Sequence, residues 1–589
     1  MTNKDLHTSS ISTNRAFLPY ILISLVVSVV YLPTFTGSFI LDDNSLIRNN
    51  RYIREAQPIY SHLAREDGIT DSQGTRNSHT GYYRPLTSLS YWLDCRLWGM
   101  TPQGFRATNL ILHLLTCFLL FRFLLFLVND RQAAFWVTLL YAIHPVNTES
   151  VSWISARNNI LVTLFVISSV YCYLKRWEGA ISLSFIASVL FFAMAVLSKE
   201  FGLLVLPCIF FYNRFLSGKR RDISQELISY LPFILVLTAY FLLRKMVTGA
   251  WLTPSDAADF WKRVYFATYL VAWNLKLVFA PYGLHSFIVG YPADYLNWQA
   301  IASFCGMALL GLVLWQMRKN KLLTFSVFSF LVALLPILNI IPTSAVTLIS
   351  TRWLYLPMIF LSLAATPFIG RSLKRNRFLT ISILIPVLVY AGTYSFVLNK
   401  YLWHDEDAFF RQEVFHFNNY FYAGGLAENL FNSKDYQQAE RYFKMAIEYY
   451  PGEAGNYINY SALLTETGRP EAAISLLEQA KSLSMNRKKR GEWHNNIGTA
   501  YFHLSEHTEA LEHYRKAIVF LPDESQFWAN IGATYGEMGD YDNCVSALNK
   551  GLSITPDSVQ LRKNLAVAYR RMGDRAKAVR EQSNSVSKD

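Results

Sequence analysis

The strongest constraint on this chain is a series of apolar stretches that recurs from Phe17 to Leu398 and then stops. A helix of about 20 apolar residues crosses the hydrocarbon core of a bilayer, and these stretches are near that length. Because 52% of the residues are hydrophobic and only 16% are charged, a single soluble enzyme, a disordered chain and a small disulfide scaffold are excluded. Candidate spans are 17–36, 104–128, 133–150, 158–174, 180–197, 201–216, 227–247, 299–317, 322–341, 353–369 and 378–398.

The distribution of positive charge predicts the topology, because cytoplasmic loops carry an excess of Lys and Arg. With the tail 1–16 in the cytoplasm, the basic clusters fall in cytoplasmic loops only if the ambiguous segment 260–298 makes no net crossing. We therefore predict about eleven net crossings and a C-terminal domain on the non-cytoplasmic side. The basic residues are Arg131, Lys175, Arg176, Lys219, Arg220, Arg221, Arg318, Lys319, Lys321, Arg371, Lys374, Arg375 and Arg377.

The last third of the chain has a different composition and an internal repeat. From Tyr401 onwards, 21 basic residues face 25 acidic ones, against 34 and 17 before it. The excess of positive charge is thus confined to the membrane part, so we expect no nucleic-acid partner. A period of 34 residues with small residues at packing positions is the tetratricopeptide signature. The repeating residues are Asn496, Asn530 and Asn564; Gly498, Gly532 and Ala566; and Tyr501, Tyr535 and Tyr569.

The sequence therefore predicts an all-α fold in two parts. A polytopic helical membrane domain at 17–400, with a long outer loop one at 37–103, is followed by a connector at 401–420 and a tetratricopeptide-repeat α-solenoid at 421–589. Stacked repeats present a concave surface, which can recruit an extended acceptor polypeptide. The alternative is a partner-docking module unrelated to a substrate.

Outer loop one opens with two adjacent carboxylates, Asp42 and Asp43. Ionisable groups at the membrane surface are functional candidates, because unpaired charge is costly there. A carboxylate at this position could act as a general base that takes a proton from an acceptor hydroxyl. The alternative is a solvated helix cap.

Further polar groups fall on the same predicted side of the membrane. In Glu149–Trp153–Arg157 the spacing predicts a short helix, begun by Pro145, that presents all three side chains near one face. Acids beside bases suit a site that binds a phosphate and moves a proton, and Arg is a natural phosphate partner. For Arg157, Lys199 and Arg352 the alternative is snorkelling at the lipid headgroups. The candidate side chains are Arg84, His144, Glu149, Arg157, Lys199, Glu200 and Arg352.

The order of motifs along the chain resembles one family. After the two aspartates come YYRPLTSLSYWLD at 82–94, NLILH at 109–113, AIHPVNTESVSWISARNNIL at 142–161, LSKEFG at 197–202 and RWLYLP at 352–357. With C-terminal tetratricopeptide repeats, this order is similar to the transmembrane and tetratricopeptide-repeat-containing O-mannosyltransferases and their bacterial relatives, in the C-type glycosyltransferase superfamily. The resemblance covers nearly the whole chain.

That resemblance implies an inverting transfer of a sugar from a polyprenyl-phosphate donor to an acceptor on the luminal or periplasmic face. By position, Asp42 matches the catalytic base and Asp43 its partner, while the seven other candidates match positions that line the site. Arg352 departs from the pattern, because the family usually has Glu before this arginine and here Thr351 stands there. No cofactor is assigned. A divalent metal ion would suit paired carboxylates, but the sequence offers no octahedral oxygen cluster.

Two other functions stay open from the sequence. The acceptor could be a lipid-linked glycan or surface polysaccharide instead of a protein hydroxyl, or the chain could be a non-catalytic membrane scaffold. We expect a bacterial inner membrane with periplasmic repeats, with an endoplasmic reticulum membrane and luminal repeats as the alternative.

Overall fold

The computed structural model describes residues 3–55, 67–70, 76–175, 182–217, 223–249, 251, 260–284, 298–316, 318–340 and 349–586. The chain divides into two compact units, Met1–Gln412 and Glu413–Asp589. Several predictions fall outside the described residues: the basic residues Arg176 and Lys219–Arg221, parts of outer loop one, and 285–297 of the ambiguous segment.

The membrane unit is built of helices, with one antiparallel strand pair, β1 (Asp67–Thr70) and β2 (Arg76–Tyr82), in outer loop one. Its helices are α1 (Asn3–Tyr31), α2 (Arg51–Arg54), α3 (Pro85–Trp98), α4 (Pro102–Val128), α5 (Arg131–Ala142), α6 (Thr148–Ser152), α7 (Arg157–Leu174), α8 (Leu183–Ser198), α9 (Val205–Phe211), α10 (Ile223–Thr248), α11 (Phe260–Phe279), α12 (Trp298–Gln316), α13 (Lys321–Leu334), α14 (Pro357–Arg375) and α15 (Arg377–Tyr401). A further helix, α16, spans Glu406–Phe417. The predicted all-α class holds for both units, apart from this strand pair.

Within the described residues, five helical segments are long and apolar enough to cross a membrane. They are Phe17–Thr36, Pro102–Val128, Ile154–Leu174, Leu227–Thr248 and Arg377–Tyr401. Leu183–Ser198 and Lys321–Ile337 are shorter apolar helices. The ambiguous segment 260–298 begins with a regular helix of 20 residues, α11.

The predicted span 133–150 is wrong in its second half. Helix α5 ends at Ala142, and a compact irregular segment follows. The cause is Pro145, which lacks an N–H and forces the preceding His144 into an extended conformation, with φ −64° and ψ 132°. The chain then makes a 3₁₀ turn at Pro145–Asn147, helix α6, and a second 3₁₀ turn at Ile154–Ala156 before α7.

The expected helix that presents Glu149, Trp153 and Arg157 on one face is also wrong. Trp153 ends α6 with an extended ψ of 116°, which interrupts the helical path. Glu149 and Arg157 therefore contact different parts of the protein.

Contacts between helix ends define two ends of the membrane unit. At the first, which we call the site end, Arg106 at the start of α4 donates to carbonyls of Thr34, after α1, and Trp403, after α15. At the opposite end, Lys374 of α14 lies 3.6 Å from Asp130, between α4 and α5. Close packing there depends on Gly370, where an added Cβ would come within 2.8 Å of Asp130 Oδ2.

The second unit consists of antiparallel helix pairs. Its helices are α17 (Ala423–Asn432), α18 (Tyr436–Tyr449), α19 (Ala454–Glu466), α20 (Pro470–Ala480), α21 (Arg487–His503), α22 (His507–Phe520), α23 (Ser525–Glu537), α24 (Tyr541–Ile554), α25 (Val559–Arg571) and α26 (Arg575–Val586). The small residues of the 34-residue period permit close approach within each pair. A Cβ at Gly498 would lie 2.9 Å from the Tyr514 ring, and one at Gly532 would lie 2.8 Å from Leu548.

Candidate active site

The two aspartates of outer loop one lie in opposite environments. Asp43 is fully buried: its Oδ1 accepts from the Ser155 amide at 2.8 Å and the Ser155 hydroxyl at 2.5 Å, and its Oδ2 accepts from the Ile40 amide at 3.3 Å. Burial raises the pKa of Asp43 to about 6, although the hydrogen bonds from Ser155 oppose the rise. Asp43 therefore ties the loop to the 143–156 segment, which differs from the catalytic partnership that the resemblance implies.

The Asp42 carboxylate, by contrast, is exposed to solvent. Leu41 adopts a left-handed conformation with φ 50°, which turns the chain so that two neighbouring side chains point to different environments. Protein atoms crowd around Asp42 and this desolvation raises its pKa, while the positive charge of Arg352 opposes the rise. Within the described residues, no hydrogen bond or ion pair engages the Asp42 carboxylate, so it is available to accept a proton.

Arg352 is held by Glu149, which comes from a distant part of the sequence. Glu149 is fully buried, and its Oε1 lies 3.4 Å from Arg352 Nη1. Thr351 donates its hydroxyl to Glu149 Oε2 at 2.5 Å. Arg352 thus receives a carboxylate from Glu149, and Thr351, the residue directly before the arginine, is a hydrogen-bond donor to that carboxylate.

A second cluster joins Arg84, Glu200 and Arg244. Arg84 donates from Nε and Nη2 to Glu200 Oε2 at 3.2 and 2.9 Å, and Arg244 Nη1 lies 3.5 Å from Glu200 Oε1. Burial disfavours the charge of Glu200, but Arg84 outweighs this effect and the pKa of Glu200 is lowered. Arg244, on α10, is a site residue that the sequence reasoning missed, because it lies in an apolar span without a motif.

Lys199 lies between these two clusters. Its Nζ is buried, donates to Asn159 Oδ1 at 2.5 Å and lies 4.5 Å from the Phe201 ring centroid. Burial lowers the pKa of Lys199 well below its usual value, and the nearby charges of Arg84 and Arg352 lower it further. The structure therefore brings four cations together at the site end.

Arg157 does not contribute free donors to this group. It is fully buried, and its Nη2 donates to Asp94 Oδ2 at 2.5 Å and to the Phe105 carbonyl at 2.9 Å. Nε donates to Asn109 at 2.6 Å, and Nη1 donates to the carbonyl and hydroxyl of Ser90. All five N–H groups are used, so the expected contact of Arg157 with a donor phosphate is not supported.

His144 also holds the protein together. Its Nδ1 accepts from the Val146 amide at 3.3 Å and its Nε2 donates to the Val278 carbonyl at 3.0 Å. Burial lowers the pKa of His144 to about 4, so the ring is neutral. The contact joins the end of α5 to the end of α11 and so helps to maintain the shape of the site end.

Arg106 is a second residue that the sequence reasoning missed. It is buried and donates to the carbonyls of Thr34, Ser38, Ser152 and Trp403. A single guanidinium therefore fixes the start of outer loop one to three other segments. A basic residue at the first turn of an apolar helix was the only available signal.

The site end thus contains the exposed carboxylate of Asp42 together with the partly exposed side chains of Arg352, Arg84 and Glu200. This arrangement can remove a proton from a hydroxyl and stabilise a nearby anion. Across the part of the chain that the structure describes, no three His, Cys, Asp or Glu side chains converge in a way that could hold a metal ion.

Family models match both parts of the chain. Residues 80–243 match the dolichyl-phosphate-mannose-protein mannosyltransferase model. This range of the chain contains Arg84, His144, Glu149, Arg157, Lys199 and Glu200. Tetratricopeptide repeat models match 430–487, 491–524 and 525–558, which confirms the predicted repeats.

Several curated relatives are described as protein O-mannosyl-transferases. Protein O-mannosyl-transferase F38B6.6 of Caenorhabditis elegans is 27% identical over 64% of this chain and 54% of its own length. Protein O-mannosyl-transferase TMTC3 of Mus musculus is 24% identical over 86% of this chain and 60% of its own length. The match thus spans little more than half of either relative.

Two solved structures align with about a third of the chain each. The crystal structure of MamA protein covers 29% of this chain and 90% of its own at 22% identity, with a TM-score of 0.25. YrrB, described as a TPR protein with an unusual peptide-binding site, covers 31% and 92% at 17% identity, with a TM-score of 0.24. The mannosyltransferase and repeat models and the curated relatives instead show an integral membrane protein that is similar in sequence to tetratricopeptide-repeat-containing protein O-mannosyl-transferases.

Proposed function

We propose that this chain is an inverting glycosyltransferase that moves a sugar from a polyprenyl-phosphate donor to a Ser or Thr hydroxyl of a protein. The curated relatives are described as protein O-mannosyl-transferases, which favours mannose as the sugar. A donor anchored in lipid explains why the site lies at the end of a helical membrane unit, since such a donor stays within the bilayer.

The observation that carries this proposal is the exposed Asp42 carboxylate within electrostatic reach of Arg352. The acceptor hydroxyl oxygen attacks C1 of the sugar, and its proton moves to Asp42. The bond between C1 and the phosphate oxygen breaks, and the polyprenyl phosphate leaves with the electron pair. Attack opposite the leaving group inverts the anomeric centre. Arg352, Arg84 and Lys199 stabilise the phosphate as its negative charge grows.

We also propose that the site end faces the non-cytoplasmic side, by the distribution of basic loops and about eleven net crossings. The ends of α10 and α11 both support this arrangement. Arg244, near the end of α10, pairs with Glu200, and Val278, near the end of α11, pairs with His144. Glu200 and His144 both lie at the site end, so α10 and α11 both finish there. The segment between the end of α10 and the end of α11 therefore need not add a net crossing.

A direct test is sugar transfer from radiolabelled polyprenyl-phosphate sugars in membranes that contain the full chain. We expect label on protein with the wild type and a loss of roughly 10²–10⁴-fold or more with Asp42→Asn. The matched control is Glu55→Gln, a carboxylate of the same loop whose pair with Arg51 is largely exposed and contributes little. Label on lipid or glycan alone would replace the protein acceptor, and transfer unaffected by Asp42→Asn would contradict the mechanism.

The repeats are proposed to recruit the acceptor polypeptide. Gln526 and Gln560 are exposed, occupy equivalent positions on α23 and α25, and each donates to an Asn one turn further on. Replacing both by Ala in the full chain should raise the KM for a protein acceptor while a short Ser- or Thr-containing peptide is glycosylated as before. Equal effects on both acceptors, or none on either, would contradict recruitment by this surface.

A further inference from the structure

Glu149 has an unusual set of partners for a residue expected to bind a substrate. Three consecutive residues donate to its carboxylate: the Ser350 hydroxyl to Oε1 at 2.8 Å, and the Thr351 hydroxyl and Arg352 amide to Oε2 at 2.5 and 2.8 Å. The side chain has no exposed surface. A carboxylate enclosed in this way cannot touch a donor sugar or its phosphate.

The same carboxylate fixes the Arg352 side chain. Arg352 meets Glu149 through both its backbone amide and its Nη1, and its guanidinium carbon lies 4.5 Å from the Trp153 ring centroid. Its carbonyl accepts from the Ser150 hydroxyl at 3.2 Å. Arg352 is thus held by its backbone, by one edge of its guanidinium and by one face, while 18% of its side chain stays exposed.

We propose that Ser350 and Thr351 are positioning residues, which act through Glu149 to hold the Arg352 guanidinium within electrostatic reach of the base Asp42. The inference rests on the proposed function and adds two residues that lie just before the RWLYLP motif. A free Glu149 carboxylate could rotate about its side-chain bonds, whereas two hydroxyls and an amide fix both oxygens. Hydrogen bonds to a charged group are the stronger kind, so the loss of one hydroxyl should be measurable.

Thr351 has a defined role in this arrangement. Its hydroxyl donates to Glu149 Oε2, and Glu149 in turn pairs with Arg352. The residue directly before the arginine therefore acts on it through a carboxylate from a distant part of the sequence.

Fixing Arg352 has a consequence for proton transfer. The positive charge of Arg352 favours the ionised form of Asp42, against the desolvation that disfavours it. Charged groups near Arg352 include Glu149 from α6 and Lys199 from the end of α8. On the other side of Asp42, the Glu406 carboxylate of α16 accepts from the Leu41 amide at 3.0 Å. If Arg352 moves away, Asp42 holds its proton to a higher pH and the acid limb of the rate profile shifts upward.

The test compares Thr351→Val, which keeps the shape and removes the hydroxyl, with Thr351→Ser, which keeps the hydroxyl. Both are measured in the full chain by transfer from a polyprenyl-phosphate sugar to a protein acceptor over a range of pH. Thr351→Val should lower kcat roughly tenfold, with the KM for the donor little changed, and should move the acid limb to higher pH. Thr351→Ser should restore both quantities, and Ser350→Ala should resemble Thr351→Val. Thermal melting of each variant verifies the fold.

Three outcomes would overturn the positioning role: a Thr351→Val enzyme with wild-type kcat and pH profile, a lower kcat without a shift of the acid limb, or the same loss in Thr351→Ser. These outcomes all require an active wild type, so they differ from a failure of the proposed function. A wild type that shows no Asp42-dependent transfer would contradict that function, and the positioning role with it.

Discussion

The pair formed by Arg157 and Asp94 offers the sharpest test of how the site is divided between substrate binding and structure. The two side chains are 0% and 2% exposed. If Arg157 held the donor phosphate, Arg157→Gln would raise the donor KM and leave stability unchanged. If it holds the protein together, Arg157→Gln and Asp94→Asn should each destabilise the fold.

The expected magnitude follows from burial. Removing one partner of a buried ion pair costs about 3–5 kcal/mol, because the other charge is left uncompensated. Here the carbonyls of Ser90 and Phe105 and the side chain of Asn109 would also lose a donor. Unfolding entropy near 2.1 cal/mol/K per residue gives about 0.9 kcal/mol per degree for the unit Met1–Gln412. If this unit melts as one, the midpoint should fall by about 3–6 °C.

The assay is the loss of the monodisperse peak of detergent-solubilised protein after heating, for both single variants and the double variant. The double variant should lose less than the sum of the singles, because each single leaves a charge without its partner. Arg51→Gln is the control, since its pair with Glu55 is exposed and should shift the midpoint by about one degree at most. The reasoning would be refuted by an Arg157→Gln protein that has the melting midpoint of the wild type and differs from it only in a raised KM for the donor.

Three further predictions concern single residues. Burial raises the pKa of Asp43 to about 6, so the folded state binds a proton on Asp43 more tightly than the unfolded state does. The contribution of protonated Asp43 to stability is therefore greatest below about pH 4 and is lost as the pH rises towards 6. Asp43→Asn should remove that slope from the melting midpoints between pH 4 and 7, and an unchanged slope would contradict the burial argument. Gly498→Val should destabilise the repeat unit by about 1–3 kcal/mol, because the added side chain would clash with the Tyr514 ring. Circular dichroism melting measures this loss, and an unchanged melting midpoint would show that the two helices can move apart. Arg244→Gln should raise the donor KM roughly tenfold without changing the acceptor KM, while an effect on acceptor KM alone would separate Arg244 from the donor.

Much of the fold followed from periodicity. Apolar stretches of membrane-spanning length and a 34-residue repeat both report local structure, because each residue in them packs against near neighbours in sequence or in the next repeat. Boundaries failed where a polar turn interrupted an apolar stretch. Pro145 looked like the start of a helix, but its effect on His144 ended the preceding one and produced the irregular segment 143–156.

The sequence motifs selected candidate site residues, but they did not predict which contacts each side chain makes. Asp42, Arg352, Lys199 and Glu200 come from different motifs, and the structure places them at one end of the membrane unit. What each side chain does depends on partners far away in sequence, such as Glu149 for Arg352 or Ser155 for Asp43. Spacing along a chain cannot reveal those partners, because they meet only when the helices pack.

The decisive quantity for each cation is the number of its donors that the protein itself uses. All five N–H groups of Arg157 donate to protein acceptors, so this residue has no donor left for a phosphate. Arg106 is likewise buried and donates to four backbone carbonyls. Arg84 and Arg352 share carboxylates with neighbours and keep 17% and 18% of their side chains exposed. In the reaction that we propose, an incoming phosphate adds negative charge close to Arg84, Arg244, Lys199 and Arg352 and so reduces the repulsion among these cations. The same positive charges would then both bind the donor and stabilise the leaving group, and their stabilising effect would grow as negative charge develops on the phosphate.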